Sequence, residues 1–256
     1  MTLNNILKNI LNIQKKIEVN QLPSQGFFYK NDFKIWIKKA KIEDIVEYEY
    51  QYEKEDLGLV INRVKKIVEK NIILSEGYTY YDIKSIDIVF LFFEIVKFTN
   101  NKQINITFYN DILGKDDTIQ FNHQTFNYAK LSEETMKSYN QIEKEFLIDG
   151  FRYSIPSIGV ENSLTKFLIS KSYQPNADDY NHYYYDFLYF LGNKSTLTFE
   201  EIDNLIQIFN FDLSDDDLKK IKKIVKTFSN IGKYSLKKDQ KIIDVTAKID
   251  LEKIWK

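Results

Sequence analysis

The stretch Leu22-Pro23-Ser24-Gln25-Gly26-Phe27-Phe28-Tyr29 constrains the fold more tightly than any other part of the chain. Proline fixes its own φ and pushes Leu22 toward extended backbone. Gly26 reaches positive φ at no steric cost. The stretch therefore reads as a sharply shaped turn that lies between an N-terminal helix and a first strand and lands Phe27, Phe28 and Tyr29 on a surface. Ile155-Pro156-Ser157-Ile158-Gly159 echoes it and suggests a shared turn shape, though the echo is too short to establish a duplication.

Composition narrows what such a chain can do. Its 256 residues suit one large domain or two modest ones, and a hydrophobic content of 43% with 15% aromatics favours a sizeable core over disorder. A net charge of −1 argues against a general electrostatic grip on nucleic acid. The absence of cysteine removes disulfides, thiolate catalysis and Cys-type zinc sites. Arginine occurs only at Arg63 and Arg152, so bidentate recognition of phosphate is nearly unavailable. No secretory signal stands out at the N-terminus. The most apolar run, Ile86 to Phe98, is too short for a bilayer and carries Asp87, Glu94 and Lys97, which read as a narrow wet stripe on a mostly buried helix.

Hydrophobic spacing supplies the elements. Leu3, Ile6, Leu7, Ile10, Leu11 and Ile17 predict an amphipathic helix over 3–18, packed on the body or captured by a partner. Phe33, Ile35 and Ile37 alternate as a strand; residues 41–56 form an acidic helix, and a second helical face follows Gly58. Residues 72–81 read as a loop, with Asp82 capping the buried helix beyond it. Two strands follow, around Ile104 to Tyr109 and Thr118 to His123. Asp149-Gly150 between alternating runs signals a hairpin. Helices are expected near 160–171, 178–191, 198–210 and 214–229, two of them opened by Thr198-Phe199-Glu200-Glu201 and by Ser214 with three aspartates. Gly232 reads as the C′ residue of the last helix, ahead of two closing strands from Tyr234 onward. The pattern is α+β: two α+β halves, each with short antiparallel strand pairs and a helical middle, divided as an arm over 1–20, a unit over 21–125 and a mostly helical unit over 126–256.

No constellation compels a reaction. Gly114-Lys115-Asp116 lacks the remainder of a phosphate loop and reads as a hairpin turn. Asp178, His182 and Asp186 stack along one helix side, yet three ligands from one helix rarely converge on one ion. The Tyr180 to Phe190 cluster repeats at core-packing spacing, and its aspartates would repel a phosphate backbone. His123 stands alone at a strand end. The sequence thus implies no catalytic residue, cofactor or metal.

The order of features resembles a known family. The Leu22 to Tyr29 turn is followed by Ile35-Trp36-Ile37, an acidic helix from Ile42-Glu43-Asp44, a helix around Ile61-Asn62-Arg63-Val64, the Ile86 to Leu91 helix and the Ile104-Asn105-Ile106 strand. Phe151 to Gly159, Leu197 to Ile202 and a terminal strand pair continue it. This succession resembles the bacteriophage base plate protein family of T-even-type contractile tails. Some members carry Cys-x-x-Cys pairs in their strand pairs; Tyr109 to Asp117 and Lys237 to Lys241 hold none here. The resemblance implies a non-enzymatic protein of the virion tail, assembled in the host cytoplasm, in the baseplate hub or its assembly. Its expected partners are hub, tape-measure or tube proteins, with self-association also open and no membrane role. The docking residues would be Leu22, Pro23, Ser24, Gly26, Phe27, Phe28, Tyr29, Pro156 and Gly159, with Leu3, Ile6, Leu7, Ile10 and Leu11 of the arm. An assembly chaperone absent from the virion is the alternative, and an aromatic-rich nucleic-acid binder a more distant one.

Overall fold

A computed structural model describes residues 14–44, 57–171, 185–238 and 241–244. The architecture is mixed α+β with small antiparallel sheets. The first sheet has the order β1-β2-β3, with β1 at Gln14–Ile17, β2 at Ile35–Lys38 and β3 at Ile72–Leu74. β2 is central, and its alternation puts Ile35 and Ile37 fully inside. Helix α1, Leu57–Asn71, turns Val64, Ile67 and Val68 inward and leads directly into β3. Helix α2, Ile88–Asn100, buries nearly every side chain from Ile88 to Val96 between α1 and β2. A two-stranded ribbon follows, β4 at Asn105–Asn110 with β5 at Lys115–Gln120, closed at Asp111–Gly114.

The second half opens with the short helix α3, Glu133–Lys137, and a sheet of order β6-β7-β8. Its strands are Tyr139–Asn140, Glu145–Ile148 and Phe151–Tyr153. Asp149 and Gly150 both take positive φ, 51° and 82°, as the two-residue hairpin requires. Helices α4 (Ile158–Ser170), α5 (Phe199–Gln207) and α6 (Asp215–Ser229) pack around Phe146, Tyr153, Phe187 and Phe228. The capping box expected at Thr198 is present, with Glu201 reaching back, and the N-cap expected at Ser214 is itself a box, closed by Asp217. β9 (Ser235–Lys238) pairs with β10 (Lys241–Asp244).

Two hydrophobic cores result, and each takes a ring from the other half. Phe28 belongs to the second core, between Phe146 and Phe228 at 5.9 Å from each. Tyr234, just ahead of β9, sits in the first, ringed by Phe93, Phe121 and Phe126.

Several expectations fail for non-local reasons. The helix expected over 3–18 is strand at Gln14–Ile17, because Ile17 pairs opposite Ile35 and is buried there. Residues 1–13 lie outside the described residues, as do most of the acidic 41–56 stretch and Val245 onward. The loop expected at 72–81 begins as β3, drawn into extended form by β2. Asp82 caps a short 3₁₀ turn at Thr79, and Asp87 stands at the N-cap of α2. The cap of α6 falls at Asn230, one residue earlier than the Gly232 reading implied.

Candidate functional site

The Leu22 to Tyr29 turn is an internal joint. Gln25 and Gly26 take φ of 51° and 77°, and a Cβ on Gly26 would lie 2.9 Å from Val19 Cγ1, so the position needs glycine twice over. The backbone closes through Gln25 N–H to Leu22 C=O at 2.7 Å and Tyr29 N–H to Gly26 C=O at 3.2 Å. Its side chains point inward: Leu22 is 0% exposed, Phe28 2% and Tyr29 5%. Pro23 and Ser24 are buried as well, Gly26 and Phe27 are half-buried, and Gln25 is exposed. The expected ring-bearing surface is therefore corrected: these rings complete the cores of the protomer. Tyr29 stacks on Phe33 at 4.2 Å, and Phe27 meets Tyr139 edge-on at 5.4 Å.

Asp87 locks the joint. Its carboxylate accepts from Ser24 N–H at 2.9 Å and from the Tyr29 hydroxyl at 2.8 Å. The Tyr29 oxygen in turn accepts from Lys84 N–H at 2.8 Å. Asp87 is fully buried, and burial pushes its carboxyl up to about 6 against these hydrogen bonds and the Lys84 charge. Tyr29 is raised well above its ordinary range, by burial and by the facing Asp87.

The second Pro-Ser stretch converges on the same connector by another route. Ser85 N–H donates to Pro156 C=O at 3.1 Å, and Ile158 N–H to Ile83 C=O at 2.8 Å. Ser157 caps α4 through Val160 N–H at 3.2 Å. Gly159 lies inside that helix, and a Cβ there would meet Ser195 O at 2.2 Å. So the echo is not a shared turn: one glycine serves backbone sign, the other close approach. Pro156 and Gly159 are buried and present no surface.

The joint is flanked by two clefts. One, of about 360 Å³, opens between the halves and has Lys84 at its floor with Asn193 beside it. Lys84 is 3% exposed, and burial lowers its ammonium to about 8 despite the nearby Asp87 and Asp82 charges. Its hydrogen-bond partner is Asn193 Oδ1. The other cleft, of about 640 Å³, joins β1 to α2. There Glu94, buried in the middle of α2, meets His123 Nε2 at 2.8 Å and Lys15 Nζ at 2.5 Å. Burial alone would raise the Glu94 carboxyl; the close approach of His123 and the Lys15 hydrogen bond outweigh it and hold it down at about 2. His123 lies 5.0 Å from both the Phe90 and Phe121 rings.

This pairing was missed in the sequence, where Asp87 and Glu94 read as a wet stripe. The signal was there: an acid inside an otherwise apolar helix needs a partner or a proton. Of the remaining candidates, Leu3, Ile6, Leu7, Ile10 and Leu11, like Asp178 and His182, lie outside the described residues. Among the described residues no group of three His, Cys, Asp or Glu is placed to hold a metal, and no helix is long and apolar enough to cross a membrane. The chain matches no protein-family model, no curated protein and no solved structure.

Proposed function

We propose that this chain is a non-enzymatic component of a contractile phage tail, in the baseplate hub or its assembly, working by protein–protein docking. The observation that carries the reading is the ordered succession that starts at Leu22-Pro23-Ser24-Gln25-Gly26-Phe27-Phe28-Tyr29. The docking surface it invokes differs from the one read in the sequence, because that segment is internal. Support for a surface elsewhere comes from the closed end of the β4–β5 ribbon, where Tyr109, Ile112 and Leu113 are 51%, 65% and 46% exposed. Adjoining apolar side chains left in water at one projecting end suit a contact that buries them.

Mass spectrometry of purified tail particles tests the reading, alongside co-purification of tail proteins by the intact chain and by Ile112→Asp/Leu113→Asp. Stoichiometric presence, with at least tenfold weaker co-purification by the double variant, is expected. Retention in assembly intermediates but absence from finished particles would make the protein an assembly chaperone. Absence from both would overturn the reading.

A further inference from the structure

Lys84 is a buried cation that makes no direct ion pair among the described residues, although the charges of Asp87 and Asp82 reach it. Its ammonium carries three donors. One goes to Asn193 Oδ1, and that amide is itself fixed, its Nδ2 donating to Phe28 C=O at 3.2 Å and Glu143 C=O at 3.3 Å. Among the described residues Lys84 makes no other side-chain hydrogen bond and no ion pair. The two acids whose charge reaches it are engaged elsewhere: Asp82 with Thr79 N–H at 2.7 Å and the Ser195 hydroxyl at 2.5 Å, Asp87 with Ser24 and Tyr29. A buried charge is retained at a cost to stability unless a counter-ion meets it. Lys84 does not lie in a sealed core: it is one of the residues that line the open cleft between the halves. The rim of that cleft carries exposed Asp32 and Glu76 with one exposed cation, Lys30, and Asp32 already accepts from the Tyr78 hydroxyl.

We propose that this cleft receives one aspartate or glutamate side chain of a partner protein, with Lys84 as its counter-ion. The floor asks for a carboxylate, while the acidic rim disfavours a run of them. The fitting partner segment is therefore a single acid flanked by lysine or arginine. This assignment rests on the docking reading for the existence of a protein partner, and it adds the chemistry by which that partner is chosen.

The test uses the full chain and a small probe. N-acetylglutamic acid α-amide supplies one side-chain carboxylate, and N-acetylglutamine α-amide is its neutral isostere. The Lys84 side-chain Cε and Nζ resonances, assigned by their loss in Lys84→Met, report occupancy. The acid should shift them saturably and the amide should not. Lys84→Met should abolish acid-specific shifts at neighbouring Asn193 and keep or raise Tm, because an apolar side chain of similar length removes the unpaired charge. Equal responses to acid and amide, or none, would overturn the proposal. If Lys84→Met fails to fold, the acid-to-amide comparison on the unaltered chain still decides. A negative probe result leaves the tail-particle measurement standing, and absence from tail particles leaves the probe result standing.

Discussion

Asp87, at the N-cap of α2, and Glu94, in its middle, are two buried acids, and their environments push them in opposite directions. Asp87 is held by a backbone N–H and a phenol, both neutral donors, and its carboxyl rises to about 6. Glu94 is held by a lysine and a histidine, and its carboxyl falls to about 2. Burial is similar; the partners differ. The difference shows that depth alone does not set the protonation of an internal carboxylate. What matters is whether its partners favour the charged form enough to offset desolvation.

Removing either acid breaks the comparison, and the larger effect belongs to Asp87. Asp87→Ala leaves the Ser24 N–H and the Tyr29 hydroxyl buried without their acceptor, and should cost about 3–5 kcal/mol in urea unfolding. A loss below about 1 kcal/mol would mean that the joint does not depend on it.

The pH dependence sharpens the contrast. Asp87 has a folded value raised from 3.8 to about 6, so the folded state binds more protons in that window. Its contribution is present at low pH and is lost as pH rises through that interval, by roughly 3 kcal/mol. Glu94 has a folded value lowered from 4.5 to about 2. Its contribution is present above 4.5 and is lost as pH falls toward 2, by a similar amount, roughly 3 kcal/mol. Stability measured against pH should therefore lose its falling limb in Asp87→Asn and its acid-side rise in Glu94→Gln. Identical profiles for the two variants would refute the opposition.

The smallest effect tests how Glu94 divides its partners. Lys15 has a side chain 41% exposed, so Lys15→Ala should cost no more than about 1 kcal/mol. A larger loss would make the lysine, rather than His123, the principal support of Glu94.

What could be read in advance follows from sequence distance. The Asp149-Gly150 hairpin, the box at Thr198 and the cap at Ser214 are local devices whose residues lie within one turn of each other, and the structure contains all three. β1 and β3 were misread because β2 imposes their extended form from elsewhere in the chain. The joint was legible as a turn at Pro23 and Gly26, but nothing nearby announced that Asp87 would seat it indoors. Glu94 carried a local mark, an acid amid phenylalanines, but not the identity of its partner; Lys84, between Ile83 and Ser85, becomes unusual only once Asn193 is brought beside it.

The exchange of Phe28 and Tyr234 between the cores has a consequence for synthesis. A ribosome releases the first half long before the aromatic cage of Phe93, Phe121 and Phe126 receives its Tyr234 plug. Likewise Phe28 emerges early and waits for Phe146 and then Phe228. Neither core is complete until the ring from the other half arrives, so the nascent chain carries uncovered apolar surface until its late residues emerge.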